Sequence, residues 1–131
     1  MTIQVSWGNP EKTIALSTFG ESWTVEEAHQ MIEDMYKLTT SVDHTVHTVL
    51  DFSNSRSSPT KLMSTGQHVQ KRTVPNSGVS VVVGANTFLK AISQMIMKLF
   101  VKDQPFFFAD TLEEAKRIIA QYEQAHSGNG R

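Results

Sequence analysis

Strand and helix patterns alternate along this chain, and this alternation limits its possible folds more than any other feature of the sequence. Period-2 hydrophobic alternation predicts strands, and apolar residues three or four apart predict helices. The predicted order is β-β-α-β-α-β-α-β-α. Single helices between strands are right-handed crossovers between parallel neighbours. We therefore expect one α/β domain over residues 1–126, with a mixed five-stranded sheet, an N-terminal hairpin and four helices.

The five predicted strands differ in how many of their faces are apolar. The first two form a hairpin around Gly8-Asn9-Pro10, with one apolar and one polar face. Residues 79–83 are apolar on both faces apart from Ser80, which is typical of a central strand with helices on both sides. The strands are predicted at residues 2–7, 13–17, 46–52, 79–83 and 106–108.

Local start signals predict where the first two helices begin. Thr24 and Glu27 have the spacing of a capping box, in which each side chain bonds a free backbone donor, so a helix is predicted over 24–38. Ser58 followed by Pro59 predicts the start of the second helix, because proline lacks only an N–H that is free at that position anyway.

The third predicted helix, after residue 86, has more apolar residues than one buried stripe needs. Its main stripe contains Phe88, Leu89, Ile92, Met95, Ile96, Leu99 and Phe100. Met97 and Val101 lie off this stripe, which indicates a contact beyond the core. Two interpretations are open, a homodimer interface and a patch for peripheral contact with a membrane surface.

The end of the chain is predicted to be a capped helix and a tail. Asp110 or Thr111 caps the fourth helix, and Glu113 or Glu114 completes the capping box. Residues 127–131 are expected to be a disordered tail.

Methionines are frequent at helical positions of this chain, at Met31, Met35, Met63, Met95 and Met97. We expect them to belong to the ordinary core. The alternative is that they line an adaptable apolar pocket, since unbranched methionine fits irregular shapes.

Charge is divided unevenly along the sequence. Residues 1–52 have a net charge of −6, residues 53–102 contain seven Lys and Arg and no acid, and residues 103–131 have a net charge of −2. Helical spacing gathers the basic residues and their polar neighbours on two helices, at Lys61, His68, Arg72, Lys90, Gln94, Lys98 and Lys102. Such a surface would concentrate anions. The alternative is that it complements the acidic first and last helices, within the domain or in a homodimer.

Two loops follow strands at the edge where open α/β sheets bind ligands, at 53–59 and 84–87. Each is predicted to lead into a helix N-terminus, whose free N–H groups favour an anion. The candidate residues for binding a ligand or anion are Ser53, Ser55, Arg56, Ser57, Ser58, Lys61, Arg72, Asn86 and Lys98. The alternative is that the serines and asparagines form turns for local reasons.

Four segments carry a family resemblance, namely the hairpin with Trp7, the helix start at 23–27, the strand at 49–53 and the closing segment at 108–115. Together they are similar to the SpoIIAA-like members of the STAS superfamily, over about residues 2–124. The resemblance implies a small α/β domain with a mixed sheet, usually a non-enzymatic regulatory or ligand-binding module.

The same resemblance raises the question of a phosphorylation switch. In the anti-sigma-factor antagonists of this superfamily, an Asp-Ser-Ser/Thr-Gly motif follows the third strand, and a partner kinase phosphorylates a hydroxyl within it. Residues 56–60 here are Arg-Ser-Ser-Pro-Thr, which lacks the Asp and the Gly. Ser57 and Ser58 lie about where that hydroxyl would be and are the phosphorylation candidates, and a phosphate is favoured at a helix start.

Other functional classes have little support in the sequence. The chain has no cysteine, and its histidines lack partners at ligand spacing, so no metal site or cofactor is expected. It lacks the motif of a phosphate-binding loop, a dinucleotide fold or a hydrolase nucleophile elbow. Its apolar runs are far shorter than the ~20 residues of a membrane-spanning helix. The N-terminus has no signal-peptide pattern, so a cytoplasmic location is expected.

The leading hypothesis is a non-enzymatic regulatory or binding module. It would use the basic face of residues 53–102 to bind an anionic or amphipathic ligand or an acidic protein partner, and nucleic acid is not expected as a partner. The alternatives are a phosphorylation-controlled regulator with Ser57 or Ser58 as acceptor, and an enzyme of unknown type.

Overall fold

A computed structural model of the chain describes residues 2–101 and 104–127. The observed element order is the predicted one. The elements are β1 (Ile3–Trp7), β2 (Ile14–Phe19), α1 (Val25–Thr40), β3 (Val46–Asp51), α2 (Met63–Lys71), β4 (Ser77–Val83), α3 (Thr87–Phe100), β5 (Phe106–Ala109) and α4 (Leu112–Ser127). Thus Ser127, predicted to begin the tail, ends the last helix, and residues 128–131 lie outside the described residues.

The five strands form one mixed sheet in the order β1-β2-β3-β4-β5. β1 pairs antiparallel with β2, and every later pair is parallel. Because each crossover moves one strand further in the same direction and has the same hand, α1, α2 and α3 must lie on one face of the sheet. The last helix, α4, covers the other face against β3, β4 and β5.

Each face of the sheet has its own apolar cluster. On the α4 side, valines of β3 and β4 pack against Ala115 and Ile119. On the side of the other three helices, the rings of Phe19, Trp23 and Phe52 meet at centroid distances of 4.2–5.9 Å. Val79, Val81 and Val83 are 0% exposed and Val82 is 2% exposed, as expected for a strand covered on both faces.

The second strand differs from its prediction, which gave it a polar face. Ala15, Ser17 and Phe19 are all buried on the side facing α1, and Ile14 is buried on the side facing α4. The prediction was wrong because β2 is an inner strand, held between β1 and β3. Small Ala and Ser side chains leave room for a helix above the strand. The period-2 pattern places these residues on the polar face, so it does not predict their burial.

The start of the second helix was also predicted wrongly. α2 begins at Met63, after an N-cap residue, Leu62, whose side chain makes no capping bond, and Pro59 lies in a loop. The backbone N–H groups of Arg56 and Ser57 both donate to the carbonyl of Glu21, at 2.9 Å. This tertiary contact holds the loop of residues 53–62 against the segment before α1, so no helix begins at the Ser58-Pro59 pair.

The capping signals of the first and last helices are confirmed. Thr24 and Glu27 make both bonds of a capping box at the start of α1. The hydroxyl of Thr111 accepts from the N–H of Glu114, and the Glu114 carboxylate accepts from the N–H of Asp110. None of the helices in the described ranges is both long and apolar enough to cross a membrane.

Candidate functional site

A cavity of about 200 Å³ lies between the sheet and helices α1, α2 and α3. We call it the central cavity. It is larger than the ~150 Å³ engineered cavities that bind benzene. It is lined from all three helices and from strands β2 to β5. Protein interiors otherwise pack densely, so a cavity of this volume makes this region the candidate binding site.

Short side chains and a close contact between helices create this space. Thr48 of β3 and Ser80 of β4 are neighbours in the sheet, and both line the cavity floor. Gly66 of α2 packs against the ring of Phe100 at the end of α3, where an added methyl group would overlap the ring. The Phe100 ring is therefore engaged between two helices instead of filling the volume above the sheet.

Most of the cavity wall is apolar. Three of the five methionines singled out in the sequence, Met31, Met35 and Met97, belong to the wall, whereas Met63 and Met95 do not. Met31 and Met35 also belong to the hydrophobic core, as expected from the sequence, so core packing and cavity lining coincide in these two residues. Their flexible thioether side chains can adjust to ligands of different shape.

Arg72 is the one charged side chain among the described residues that line the cavity. Its Nε donates to Oε2 of Glu33 at 2.8 Å, and its guanidinium lies 4.9 Å from the centre of the Tyr36 ring. His68 Nε2 lies 2.5 Å from the same Glu33 oxygen. A guanidinium has five N–H donors, so the bond to Glu33 leaves further donors beside the cavity.

This arrangement of charges shifts two pKa values. Hydrogen bonds from His68 and then Arg72 lower the pKa of Glu33 below its usual value. The Glu33 carboxylate in turn raises the pKa of Arg72. The guanidinium therefore remains charged at every physiological pH.

Gln104 adds a neutral polar group to the cavity wall. Gln104 Nε2 donates to the carbonyl of Gly78 at 2.7 Å and to Oγ of Ser80 at 2.9 Å.

Gln104, Tyr36 and Glu33 were not among the residues predicted from sequence. Short residues at core positions, together with the methionines, are the sequence features that could have predicted a cavity.

The predicted loop serines use many of their polar groups within the fold. Ser55 Oγ accepts from the indole N–H of Trp23 at 3.0 Å, and the Ser53 N–H donates to Asp51 at 2.9 Å. Ser57 is bridged through its backbone to Ser22. The turn-forming interpretation therefore describes Ser53 and Ser55.

The loop after β4 is organised in the same local way. Asn86 caps α3, with Oδ1 accepting from the N–H of Leu89 at 2.9 Å. Gly84 has φ of +66° and lies against Ser53, where a side chain would overlap the serine. The structure thus brings the two predicted loops together at one edge of the sheet. Ser58 is half-buried there, while the side chains of Arg56 and Ser57 are exposed.

The predicted basic residues fall into two groups. Arg72 and His68 face the Glu33 carboxylate of α1. The other group has no carboxylate within 4.0 Å among the described residues, and its members are exposed at Arg56, Lys61, Lys71, Lys90 and Lys98. Because α2 and α3 lie on the same face of the sheet, Lys71, Lys90 and Lys98 are on that side, while Arg56 and Lys61 lie in the loop before α2. Lys102 lies outside the described residues.

The apolar surplus of α3 is real, but the prediction assigned it to the wrong residues. Val101 is 7% exposed, and Met97 lies in the wall of the central cavity. The exposed apolar side chains are Phe88, Met95 and Leu99. The reason is that α3 turns Met97 toward the cavity, so that part of the predicted main stripe is left facing outward.

The histidines of β3 and the turn before it have separate partners. His44 Nε2 lies 2.8 Å from the Lys12 carbonyl, and His47 Nε2 lies 2.9 Å from Oε2 of Glu123. Within residues 2–101 and 104–127, no three His, Asp or Glu side chains are grouped as metal ligands.

Comparison with known proteins identifies the fold. No protein-family model matches the chain, and no curated protein matches it. Among solved structures, the chain is similar to the anti-sigma factor antagonist SpoIIAA in its unphosphorylated form, with a TM-score of 0.57 and 10% sequence identity. The match covers 90% of this chain and 97% of that one. The chain therefore has the SpoIIAA fold, as the sequence resemblance implied.

Proposed function

Starting from the SpoIIAA fold, we propose that this chain is a non-catalytic binding module that takes a small amphipathic carboxylate into its central cavity. The observation that carries the proposal is the cavity itself, about 200 Å³ of space with apolar walls and a guanidinium on its lining. A regulatory role would then follow from the ligand, since an occupied cavity stabilises one arrangement of α1, α2 and α3.

The apolar walls support a ligand with a hydrocarbon body. Each CH₂ group that leaves water contributes roughly 0.8 kcal/mol to binding. Leu50 and Val82 on the floor and Met31, Met35 and Met97 on the walls give such a body continuous apolar contact. Methionine walls favour chains of variable shape over one rigid ring system.

Arg72 supports a carboxylate as the polar end of the ligand. A guanidinium binds carboxylates through two parallel N–H bonds. Glu33 orients Arg72 through Nε, and the guanidinium carbon lies 4.9 Å from the centre of the Tyr36 ring. The ligand head would therefore meet a donor group that is already positioned.

Catalysis has less support than binding at this site. General acid–base or nucleophilic chemistry needs two or more reactive groups that converge on the substrate. The described residues of the wall contribute one charged side chain, Arg72, whose pKa is raised. We therefore favour binding over the enzyme alternative.

Calorimetric titration with straight-chain carboxylates from hexanoate to dodecanoate tests the proposal. Ser93→Leu adds volume inside the cavity, and Ala91→Leu adds the same volume at an exposed position of the same helix. We expect wild type and Ala91→Leu to bind alike and Ser93→Leu to bind at least about tenfold more weakly, a loss of ~1.4 kcal/mol. Equal binding by all three proteins, or no binding by wild type, would contradict the proposal.

Arg72→Gln tests the contribution of the carboxylate head group separately from that of the hydrocarbon chain. We expect Arg72→Gln to weaken decanoate and to leave the binding of the uncharged analogue decanol unchanged. If both ligands weaken equally, Arg72 supports the cavity wall and does not bind the carboxylate.

A second candidate function is control of partner binding by phosphorylation at Ser57 or Ser58. It is supported by the exposed position of Ser57, beside Arg56, in the loop after β3. The similar solved structure is that of an anti-sigma factor antagonist in its unphosphorylated form. Intact-mass measurement of the protein from its native cells should show a phosphate that Ser57→Ala with Ser58→Ala removes. An unmodified mass in all growth conditions would contradict this function.

A further inference from the structure

Helix α3 exposes a row of large apolar side chains. Phe88, Met95 and Leu99 are 42%, 48% and 52% exposed. Their spacing of seven and four residues places them on one side of the helix. We call these three residues the exposed stripe. Scattered apolar residues are normal on a protein surface, whereas three aligned on one helix indicate an interaction site.

The exposed stripe borders the side of α3 that faces the core but is not covered by it. Leu89 is 2% exposed and packs with Ile92 against the sheet, and Ile96 lines the central cavity. The helix thus has apolar residues on an inner and an outer side. The inner side accounts for folding, and the outer side has no function within the described fold.

The helix that carries the exposed stripe and the neighbouring α2 are positively charged. Lys98 lies next to Met95 on α3, Lys71 ends α2, and Lys61 precedes it, whereas Lys90 lies on the opposite side of α3 from Leu99. Neither helix contains an acidic residue, nor does loop 53–62. An exposed apolar stripe beside several lysines is the pattern of helices that lie in the interface of anionic membranes.

We propose that the exposed stripe of α3 docks the protein on the surface of an anionic lipid bilayer. Phe88, Met95 and Leu99 would enter the boundary between headgroups and acyl chains. Lys98 of α3 and Lys71 of α2 would face the anionic headgroups, an attraction that falls off within a Debye length.

The charges favour a bilayer over a second copy of the chain. A twofold interface brings the same patch of both subunits together. Packing the exposed stripe on itself would bring Lys98 of both copies close to one another, and like charges repel. A bilayer with anionic lipids matches both the apolar stripe and the cations around it.

Flotation with lipid vesicles tests the proposal. The full chain is mixed with vesicles of phosphatidylcholine alone or of equimolar phosphatidylcholine and phosphatidylserine. We expect it to float with the anionic vesicles at low salt, at least tenfold more than with the neutral ones. High salt should release most of it, because the attraction to headgroups is screened.

Substitutions by uncharged glutamine test the contribution of the apolar stripe to membrane binding separately from the contribution of charge. Met95→Gln with Leu99→Gln changes no charge, and we expect it to reduce binding to anionic vesicles at least tenfold. Phe107→Gln is the matched control, because Phe107 is an apolar residue of β5 that is 39% exposed and points away from α3. We expect Phe107→Gln to bind as wild type does, and thermal unfolding must show that both variants are folded.

Three results would overturn the proposal. These are equal flotation with both kinds of vesicle, unchanged binding of the Met95→Gln, Leu99→Gln variant, and a wild-type dimer that this variant converts to monomer. The last result would assign the stripe to a second copy of the chain. Ser93→Leu keeps the exposed stripe and should still float, so failure of the ligand proposal and failure of this one are distinguishable.

Discussion

His47, buried in the middle of the sheet, connects three parts of the molecule through its two ring nitrogens. It lies on β3 and is 2% exposed. Nδ1 accepts from the backbone N–H of Val79 on β4 at 2.9 Å, and Nε2 lies 2.9 Å from Glu123 on α4. Because Nδ1 accepts, the ring proton of neutral His47 is on Nε2, which donates to the Glu123 carboxylate.

The same histidine compensates for an irregularity in the sheet. The register between β3 and β4 shifts, so that Gly78 and Val79 together lie opposite His47. Such a bulge leaves a backbone group without its ladder partner, and the imidazole supplies that partner. Position 78 is glycine because a side chain there would overlap the ring.

We predict that His47→Ala lowers the free energy of unfolding by about 2–4 kcal/mol, because it leaves the buried Val79 N–H unpaired and opens a void. Glu123→Gln keeps a hydrogen-bond acceptor at a position that is 49% exposed, and it should cost less than about 1 kcal/mol. Urea denaturation of both variants measures the difference. A loss for Glu123→Gln equal to that for His47→Ala would show that the ion pair, and not the bulge, is what matters.

The pKa of Glu33, lowered by His68 and Arg72, makes part of the stability depend on pH. A carboxylate whose pKa falls on folding stabilises the protein at pH values above its pKa in the unfolded state. This contribution is lost as the pH falls through its pKa in the folded state. We predict that wild type is more stable than Glu33→Gln at neutral pH and that the gap narrows below pH 4.5, the ordinary glutamate value. Melting curves from pH 7 downward measure it.

The corresponding control for that series is Glu26→Gln, an exposed glutamate in the first turn of the same helix. The difference in melting temperature between Glu26→Gln and wild type should not narrow below pH 4.5 as the difference for Glu33→Gln does. If the gap of Glu33→Gln stays constant to low pH, the network of Glu33 with His68 and Arg72 does not contribute to folding.

At the scale of elements, α2 depends on its neighbours more than on its own sequence. It has nine residues, and the side chain of its N-cap residue, Leu62, makes no capping bond. Helices this short are marginal in isolation. The contact between Gly66 and the Phe100 ring therefore positions α2 against α3, and with it one wall of the central cavity.

We predict that Gly66→Ala destabilises the protein by about 1–3 kcal/mol, because the new methyl group pushes the two helices apart. Gln67→Ala, at an exposed neighbouring position of α2, should be close to neutral. Phe100→Leu makes room for the methyl group, so Gly66→Ala should cost less in that background. Equal costs in both backgrounds, measured by chemical denaturation, would show that the ring contact is not the cause.

At the scale of the whole molecule, the basic residues of the middle segment are used in two different ways by the fold: some are paired and others are left exposed. Arg72 and His68 complement the acidic first helix through Glu33, as the intramolecular alternative expected. Lys61 and Lys98 are exposed without such partners in the part of the chain that the structure describes. A sequence shows the sum of these charges but does not show which of them are already neutralised.

We predict that Arg72→Glu lowers the melting temperature, because it places a carboxylate beside Glu33. Lys61→Glu and Lys98→Glu should leave the melting temperature almost unchanged, since surface charges without partners contribute little to stability. Differential scanning calorimetry of the three variants tests this. Equal destabilisation by all three would mean that the exposed lysines also support the fold.

The sequence by itself determined the order of the elements, the sheet class and most element bounds. These depend on local periodicity and on signals such as the Thr24 capping box, whose partners are a few residues apart. Strand order then followed from the family resemblance, and the handedness of the crossovers places three helices on one face.

Only the tertiary structure decided the start of α2, the burial of Ser17 and the outward side of α3. The Glu21 carbonyl that holds the 53–62 loop is more than thirty residues away in sequence. The central cavity likewise exists only between elements, where short residues of β3 and β4 meet three helices. Local patterns show which side chains are apolar, whereas packing decides which of them fill space, enclose it or remain exposed.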